Sequence, residues 1–252
     1  MIEREDTDGI AVVRLAHGKV NALDIELCRE LSTTFRSLAT HPCRAVVFTG
    51  TGSSFSAGVD LWRIVQGGAD YVTQYVPALI EAFESVFELT KPVVAAINGH
   101  AIAGGCVLAC ATDHRVMAAG GIGIPEVRVG VPFPAAAMEI VADAIGPVAA
   151  RRAVTSGDVY ALPDALAMGF IDEVVAPEEL MSRALAKAGA FADAVPADTF
   201  ALTKLQLRVG AIGRIAAAAA TFDETATEIW RQRSQDGWIA DYMAKATRKS
   251  SR

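Results

Sequence analysis

The chain has 252 residues, with 29 acidic against 23 basic side chains and a formal net charge of −6. That balance argues against general nucleic-acid binding, and no apolar run in the sequence is long enough to span a bilayer. Hydrophobic residues make up 52%, above the usual globular share, which points to a surface buried in an oligomer. The length allows a sizeable core in one domain or two. The opening stretch MIEREDTDG is acidic and lacks an apolar centre, unlike a secretory signal, so a cytoplasmic protein is expected.

In chain order, Ile10–Leu15 is rich in branched apolar residues and predicts a strand. His17 to Val20 is a loop. Asn21 offers a helix cap and Asp24 a second one. From Ile25 to Leu38, apolar Leu27, Leu31, Phe35 and Leu38 have the spacing of an amphipathic helix. Arg44–Thr49 predicts the next strand, so a right-handed crossover is expected. Gly50 to Ser54 is a loop leading into Phe55-Ser56-Ala57-Gly58-Val59-Asp60-Leu61. On local grounds Ala57-Gly58 is a tight turn in which glycine supplies a positive φ. Trp62–Asp70 contains the break Gly67-Gly68, and Tyr71–Leu89 predicts a helix interrupted or delayed by Pro77.

Val93–Ile97 predicts a strand that Asn98-Gly99 ends. Ala103-Gly104-Gly105-Cys106 then opens an apolar helix running through Ala111. A strand feeding a glycine pair at a helix start points unpaired backbone N–H groups into one small space. Such a place holds an anion, or an oxygen that becomes anionic during a reaction. His114–Ala118 predicts a short strand, with Asp113 pairing locally to backbone or Arg115. Gly123-Ile124-Pro125-Glu126 puts one carboxylate into an apolar stretch.

After it, Val131-Pro132-Phe133-Pro134 predicts a rigid turn, followed by helices over Met138–Ile145 and Val148–Thr155. A short helix over Asp164–Met168 and a strand over Ile171–Val175 come next. The rest predicts helices over Glu178–Ala194, Ala197–Val209, Ile215–Ser234 and Gly237–Ala246, with a polar, basic and frayed tail over Thr247–Arg252. Strands followed by a run of helices imply a sheet-based core and a helical C-terminal part.

Cys28, Cys43, Cys106 and Cys110 have no zinc-ribbon spacing, and the histidines form no ligand cluster, so no metal site is expected. Cys106 and Cys110 fall on one helix face as small buried thiols. A Cys106/His100 nucleophilic pair would need an orienting third group that the sequence does not supply.

Three elements together resemble the crotonase (enoyl-CoA hydratase/isomerase) family. They are Lys91 to Arg128 with its Gly-Gly-Cys and Gly-x-Pro-Glu motifs, Phe55–Leu61, and Asn21-Ala22-Leu23. The likeness runs from about Ile2 to Trp238. It implies an α/β fold built as a spiral of ββα repeats, with a core over residues 1–195. It also implies a helical region over residues 196–252 that serves oligomerisation, as a trimer or a hexamer, and closure of the active site. Phe222 and Trp230, eight apart, could belong to such an oligomer face or to the chain's own core. The ligand implied is an acyl-CoA, which is the substrate, with no separate cofactor. By the resemblance, Glu126 is the base, and the N–H groups of Ala57 and Gly104 are oxyanion-hole donors. Backbone from Ala57 through Gly58, Val59, Asp60 and Leu61 borders the CoA, and Lys19 reaches a phosphate or is a solvated loop lysine.

One departure separates the family's reactions. Typical hydratases carry a second glutamate directly after Gly-Gly-Cys, and this chain has Val107. Adding water across a 2-enoyl thioester uses two carboxylates. Moving a double bond from position 3 to position 2 needs only one, and an apolar Val107 helps exclude water. The resemblance therefore implies a Δ3,Δ2-enoyl-CoA isomerase, although Pro125 stands where such isomerases often have Asn. The alternatives are a hydratase or other thioester enzyme using Glu139 or Asp143, or an acyl-CoA-binding protein without turnover. Pro-Phe-Pro, where many hydratases are glycine-rich, implies a differently shaped acyl pocket.

Overall fold

The structure is a computed structural model and describes residues 1–250, with side chains to residue 246. The expected frayed tail at Thr247–Arg252 lies outside the described side chains, and Ser251 and Arg252 lie outside altogether.

The chain opens with a hairpin of β1 (Ile2–Thr7) and β2 (Ile10–Leu15). Strand β1 carries IEREDT with four consecutive exposed residues, so it has no apolar pattern to announce it. The strand forms because β2 behind it is almost wholly buried and leaves one edge to pair. Short β3 (Ala22–Leu23) leads to α1 (Ile25–Leu38), whose cap is Asp24, accepting the Leu27 N–H at 2.8 Å. Asn21 is not the cap. It is fully buried at φ 51°, and its amide donates to the carbonyls of Ser54 and Phe55 at 3.0 and 3.2 Å.

A repeat then begins. Strand β4 (Ala45–Gly50) breaks into β5 (Ser54–Ser56) and β6 (Gly58–Val59) and feeds α2 (Leu61–Phe87). Strand β7 (Val93–Ile97) breaks into β8 (His100–Ile102) and feeds α3 (Gly104–Cys110). Strand β9 (His114–Met117) breaks into β10 (Ile122–Gly123) and feeds α4 (Glu126–Val129). Each turn adds one parallel strand to a larger sheet and one to a smaller sheet, which is the spiral that the resemblance implies. The larger sheet has the order β1-β2-β4-β7-β9-β12, where β12 is Glu173–Val174. The smaller has the order β11-β10-β8-β5, where β11 is Val159–Tyr160. The larger sheet buries both faces, as runs such as AVVF and VVAAI require.

Helix α2 has one non-helical residue, Gly68 (φ 60°), where the glycine pair predicts a break, whereas Pro77 lies within its continuous second part. Helices α5 (Ala135–Ile145), α6 (Pro147–Ser156), α7 (Leu162–Met168) and α8 (Leu180–Ala194) follow. The two helices expected over 197–234 are one helix of 39 residues, α9 (Ala197–Gln235), and α10 (Trp238–Ser250) closes the described chain. Gly210 and Gly213 cost helix propensity but do not stop α9, since packing against α2 and α5 outweighs about 1 kcal/mol per glycine.

One end of α9 is fastened by charge. Asp113 accepts from Lys204 Nζ at 2.6 Å, Arg208 Nη2 at 2.9 Å and the Val93 N–H at 2.8 Å. Burial pulls the Lys204 ammonium down to about 8, with Asp113 acting against it. Of the two partners expected for Asp113, it takes a backbone N–H, that of Val93, and not Arg115, which is bound through two nitrogens to Asp172. Among the described residues no helix is long and apolar enough to cross a membrane.

Candidate active site

Glu126 opens α4 directly after β10, and Gly130 at φ 89° ends that helix after one turn. Glu126 is 5% exposed, and its Oε2 is buried with no hydrogen-bond partner among the described residues. Unpaired buried polar atoms are rare and expensive, and they mark functional positions. Desolvation by burial pushes its pKa up to about 8, only slightly opposed by its own backbone N–H. A base poised there holds its proton at neutral pH but can release it, as general acid–base work requires.

Glu126 lies on the wall of a cavity of about 130 Å³ that Ala57, Val59, Leu61 and Ala103 also line. Behind it is a recess of about 10 Å³ between Val59, Leu79, Phe83, Gly104, Val107 and Glu126. Val107 is fully buried and lines that recess. Glu126 is the sole carboxylate among the residues lining either space.

The two glycine segments meet because neither carries a Cβ. At Gly58 a Cβ would lie 2.4 Å from the Ile102 carbonyl oxygen, and at Gly105 it would lie 2.3 Å from that of Ser56. The Gly104 N–H begins α3 and takes no acceptor among the described residues.

The Ala57 N–H, expected as the second donor, is already committed: it donates to the Val20 carbonyl at 2.9 Å. This overturns its assignment to an oxyanion hole, although the Ala57 residue still lines the cavity. Two neighbours are also committed. Gly58 N–H donates to Ser56 Oγ at 3.1 Å, and Asp60 N–H donates to the Leu23 carbonyl at 3.0 Å. The Asp60 carboxylate caps α2 by accepting the Arg63 N–H. Of the expected CoA-bordering segment, Val59 and Leu61 line the cavity with Ala57, whereas Gly58 and Asp60 build the loop. Lys19 is exposed and lines none of these spaces.

Other candidates fall elsewhere. Glu139 pairs with Arg214 at 2.7 Å, and Asp143 lines a separate cavity beside Lys204 and Arg208. His100 is exposed with its Nδ1 accepting the Gly121 N–H, while Cys106 is fully buried. Among the described residues no group of three or more His, Cys, Asp or Glu is placed to hold a metal ion.

Two lining residues are not placed at the site by sequence reasoning. Trp230 of α9 and Tyr242 of α10 cover the cavity beside Glu126. Trp230 is buried within its own chain and donates its indole N–H to the Pro132 carbonyl at 2.9 Å, while Phe222 is 63% exposed. The pair thus does not form one face. A tryptophan on a long helix carries no local sign of which wall it will cover, and only tertiary contact decides it.

The match to the enoyl-CoA hydratase/isomerase family model covers residues 5–236. The chain belongs to that family. Members act on acyl-CoA substrates. Among curated relatives, the human mitochondrial enoyl-CoA delta isomerase 1 is 30% identical over 220 residues, 85% of this chain and 72% of the relative. A putative enoyl-CoA hydratase of Thermus thermophilus is 33% identical over 199 residues, 77% of this chain and 78% of the relative. The solved structure of human mitochondrial delta3-delta2-enoyl-CoA isomerase matches with a TM-score of 0.88 at 26% identity, covering 99% of this chain and 98% of that one. Enoyl-CoA hydratase/isomerase family relatives thus carry names from both reactions, and the distinction turns on the site itself.

Proposed function

We propose that this protein is a Δ3,Δ2-enoyl-CoA isomerase. The observation that carries the proposal is the single unpaired carboxylate of Glu126 facing the same recess as Val107. A 3-enoyl thioester binds with its carbonyl oxygen at the start of α3. The Gly104 N–H is one donor to that oxygen. The second is the Val59 N–H. It is the one N–H from Ala57 to Asp60 not already assigned to another acceptor above, and Val59 lines the cavity.

Glu126 removes a proton from C2, and the electron pair moves onto the thioester oxygen as a dienolate. The two donors stabilise that charge, each by roughly 3–4 kcal/mol. The same carboxyl returns the proton at C4 as the double bond forms between C2 and C3. No water enters the balance, and no cofactor is needed. Val107, Leu79 and Phe83 keep the inner recess apolar.

The rival is hydration of a 2-enoyl-CoA, which needs a second group to hold water. Glu139 and Asp143 lie away from Glu126 and do not supply it. We also propose that the exposed apolar row Leu202, Leu205 and Val209 on α9 meets other copies in a trimer or hexamer. The helical region from residue 196 would then serve both assembly and cavity closure. The deciding experiment follows conjugated-thioester absorbance in two cells, one given a 3-enoyl-CoA and one a 2-trans-enoyl-CoA. A rise in the first with no fall in the second is expected. A fall in the second alone overturns the proposal in favour of a hydratase, and silence in both favours a binding protein.

A further inference from the structure

Helix α10 meets α4 at a contact that sets its register. Trp238 lies against Gly130, where a Cβ would come within 2.5 Å of the indole nitrogen. Arg233 holds the pair from α9. Its guanidinium is 5.7 Å from the centre of the Trp238 ring, and its Nε donates to the Gly130 carbonyl at 3.2 Å. Tyr242 is one helical turn further along α10, and Glu126 is one turn back along α4. The two side chains accordingly line the same cavity of about 130 Å³.

Few polar groups border that cavity and its recess. The Trp230 indole N–H is spent on the Pro132 carbonyl. The Gly104 and Val59 N–H groups are committed to the thioester oxygen in the proposed isomerase reaction. Glu126 Oε2 has no donor among the described residues. The half-buried Tyr242 hydroxyl is the one remaining side-chain donor on the walls, and it has no partner among the described residues. Burial, and after it the Glu126 charge, raise the Tyr242 pKa above that of an ordinary phenol. The hydroxyl therefore keeps its proton where Glu126 ionises.

The charged groups nearby are engaged or turned outward. On α4, Arg128 binds Asp158 and the Ser156 carbonyl. On α9, Arg233 also binds Asp236, and on α2, Arg63 binds Glu26. Asp70 on α2, Arg151 and Arg152 on α6, and Asp241 and Lys245 on α10 are exposed. Cys106 on α3 is a fully buried thiol that burial keeps protonated.

We infer that the Tyr242 phenol donates a hydrogen bond to the Glu126 carboxylate once that carboxylate has lost its proton, which makes Tyr242 a positioning residue for the base. Such a donor stabilises the charged form over the neutral one. It also fixes the orientation in which the carboxylate meets C2 and C4. This inference rests on the reading of Glu126 as the base and names the residue that tunes it.

The test is Tyr242→Phe, which keeps the ring that walls the cavity and removes the donor. Two readouts are compared with wild type. One is the pH profile of kcat/KM for a 3-enoyl-CoA. The other is the infrared band of the protonated Glu126 carboxyl, identified by its loss in Glu126→Gln and titrated in the full chain without ligand. A hydrogen bond to a charged group corresponds to about one pH unit. Both midpoints are expected to move up by about that much, with kcat/KM near neutral pH falling about tenfold. Trp238→Ala keeps Tyr242 but releases α10 from α4, and it should move the infrared midpoint in the same direction.

A carboxyl midpoint unchanged in Tyr242→Phe overturns the inference. So does a loss of kcat/KM that is equal at every pH, since that marks a wall and not a donor. If the midpoint moves but no 3-enoyl-CoA is turned over, the contact between the two residues stands and the isomerase reading falls.

Discussion

Gly58 and Gly104 are packed backbone against backbone: a Cβ on Gly58 would lie 3.0 Å from the Gly104 nitrogen and 2.4 Å from the Ile102 oxygen. The approach is possible because Gly58 sits at φ 78°, which an L side chain adopts only under strain. It brings Val59 next to the first N–H of α3.

Gly58→Ala should therefore damage chemistry more than binding. The added methyl pushes the two segments apart, and kcat for a 3-enoyl-CoA should fall at least a hundredfold. The loss of one oxyanion donor sets that scale. Steady-state kinetics with a thermal melt alongside separates this from simple unfolding. A variant with wild-type kcat removes the donor pair from the mechanism.

Glu126→Gln should abolish turnover, by a factor of a thousand or more in kcat, while keeping the site's volume and ligand binding. Retained isomerase activity would remove Glu126 as the base. For the wild type, kcat/KM should rise with pH and level off above about 8, because the free enzyme must lose the Glu126 proton before it can act. A flat profile between pH 6 and 9 would contradict this.

The same group makes a prediction about stability. Its folded pKa, about 8, is above the 4.5 of an unperturbed glutamate. Between those values the folded chain holds a proton that the unfolded chain has released. Stability from this group is thus complete below about pH 4.5, falls as pH rises, and is lost above about 8. The upper limit is on the order of 5 kcal/mol. Glu126→Gln should melt higher than wild type at pH 9, with the difference narrowing toward pH 5. Parallel denaturation curves across that range check it.

Asp113→Ala would leave Lys204 and Arg208 buried without their carboxylate. Removing one partner from a buried ion pair costs roughly 3–5 kcal/mol, so the melting temperature should drop on the order of 10 °C. Calorimetric melting measures this directly, and a drop below 2–3 °C would mean that the surrounding carbonyls suffice on their own.

Much of this architecture is legible in the residues. Val93–Ile97 matches its strand end to end, because a β-branched run bounded by Asn-Gly leaves little choice. Glu126 stands out as one carboxylate in an apolar run, and its burial follows. Other features depend on contacts that no window contains. Asn21 and Asp24 are both capping types, and only the reach of the Asn21 amide to Ser54 and Phe55 assigns the cap to Asp24. The use of the Ala57 N–H by Val20 is a pairing across 37 positions of chain, invisible in Ser-Ala-Gly. Strand β1 fails the other way: its charged residues deny an apolar pattern, yet an edge strand needs a partner more than a pattern.

The unbroken α9 has a consequence for how this protein tolerates change. Lys204 is locked to Asp113, and Trp230 is locked to Pro132, with about 39 Å of rigid helix between them. A helix turns about 100° per residue, so one added residue in the alanine-rich stretch 216–220 could not be absorbed locally. If Lys204 stayed in place, the tryptophan would swing off the cavity. If the tryptophan stayed, two buried cations would lose their anion. Substitutions at the exposed Ala216, Ala217 and Ala220 are cheap, but insertions and deletions there are read at the active site as a change of phase.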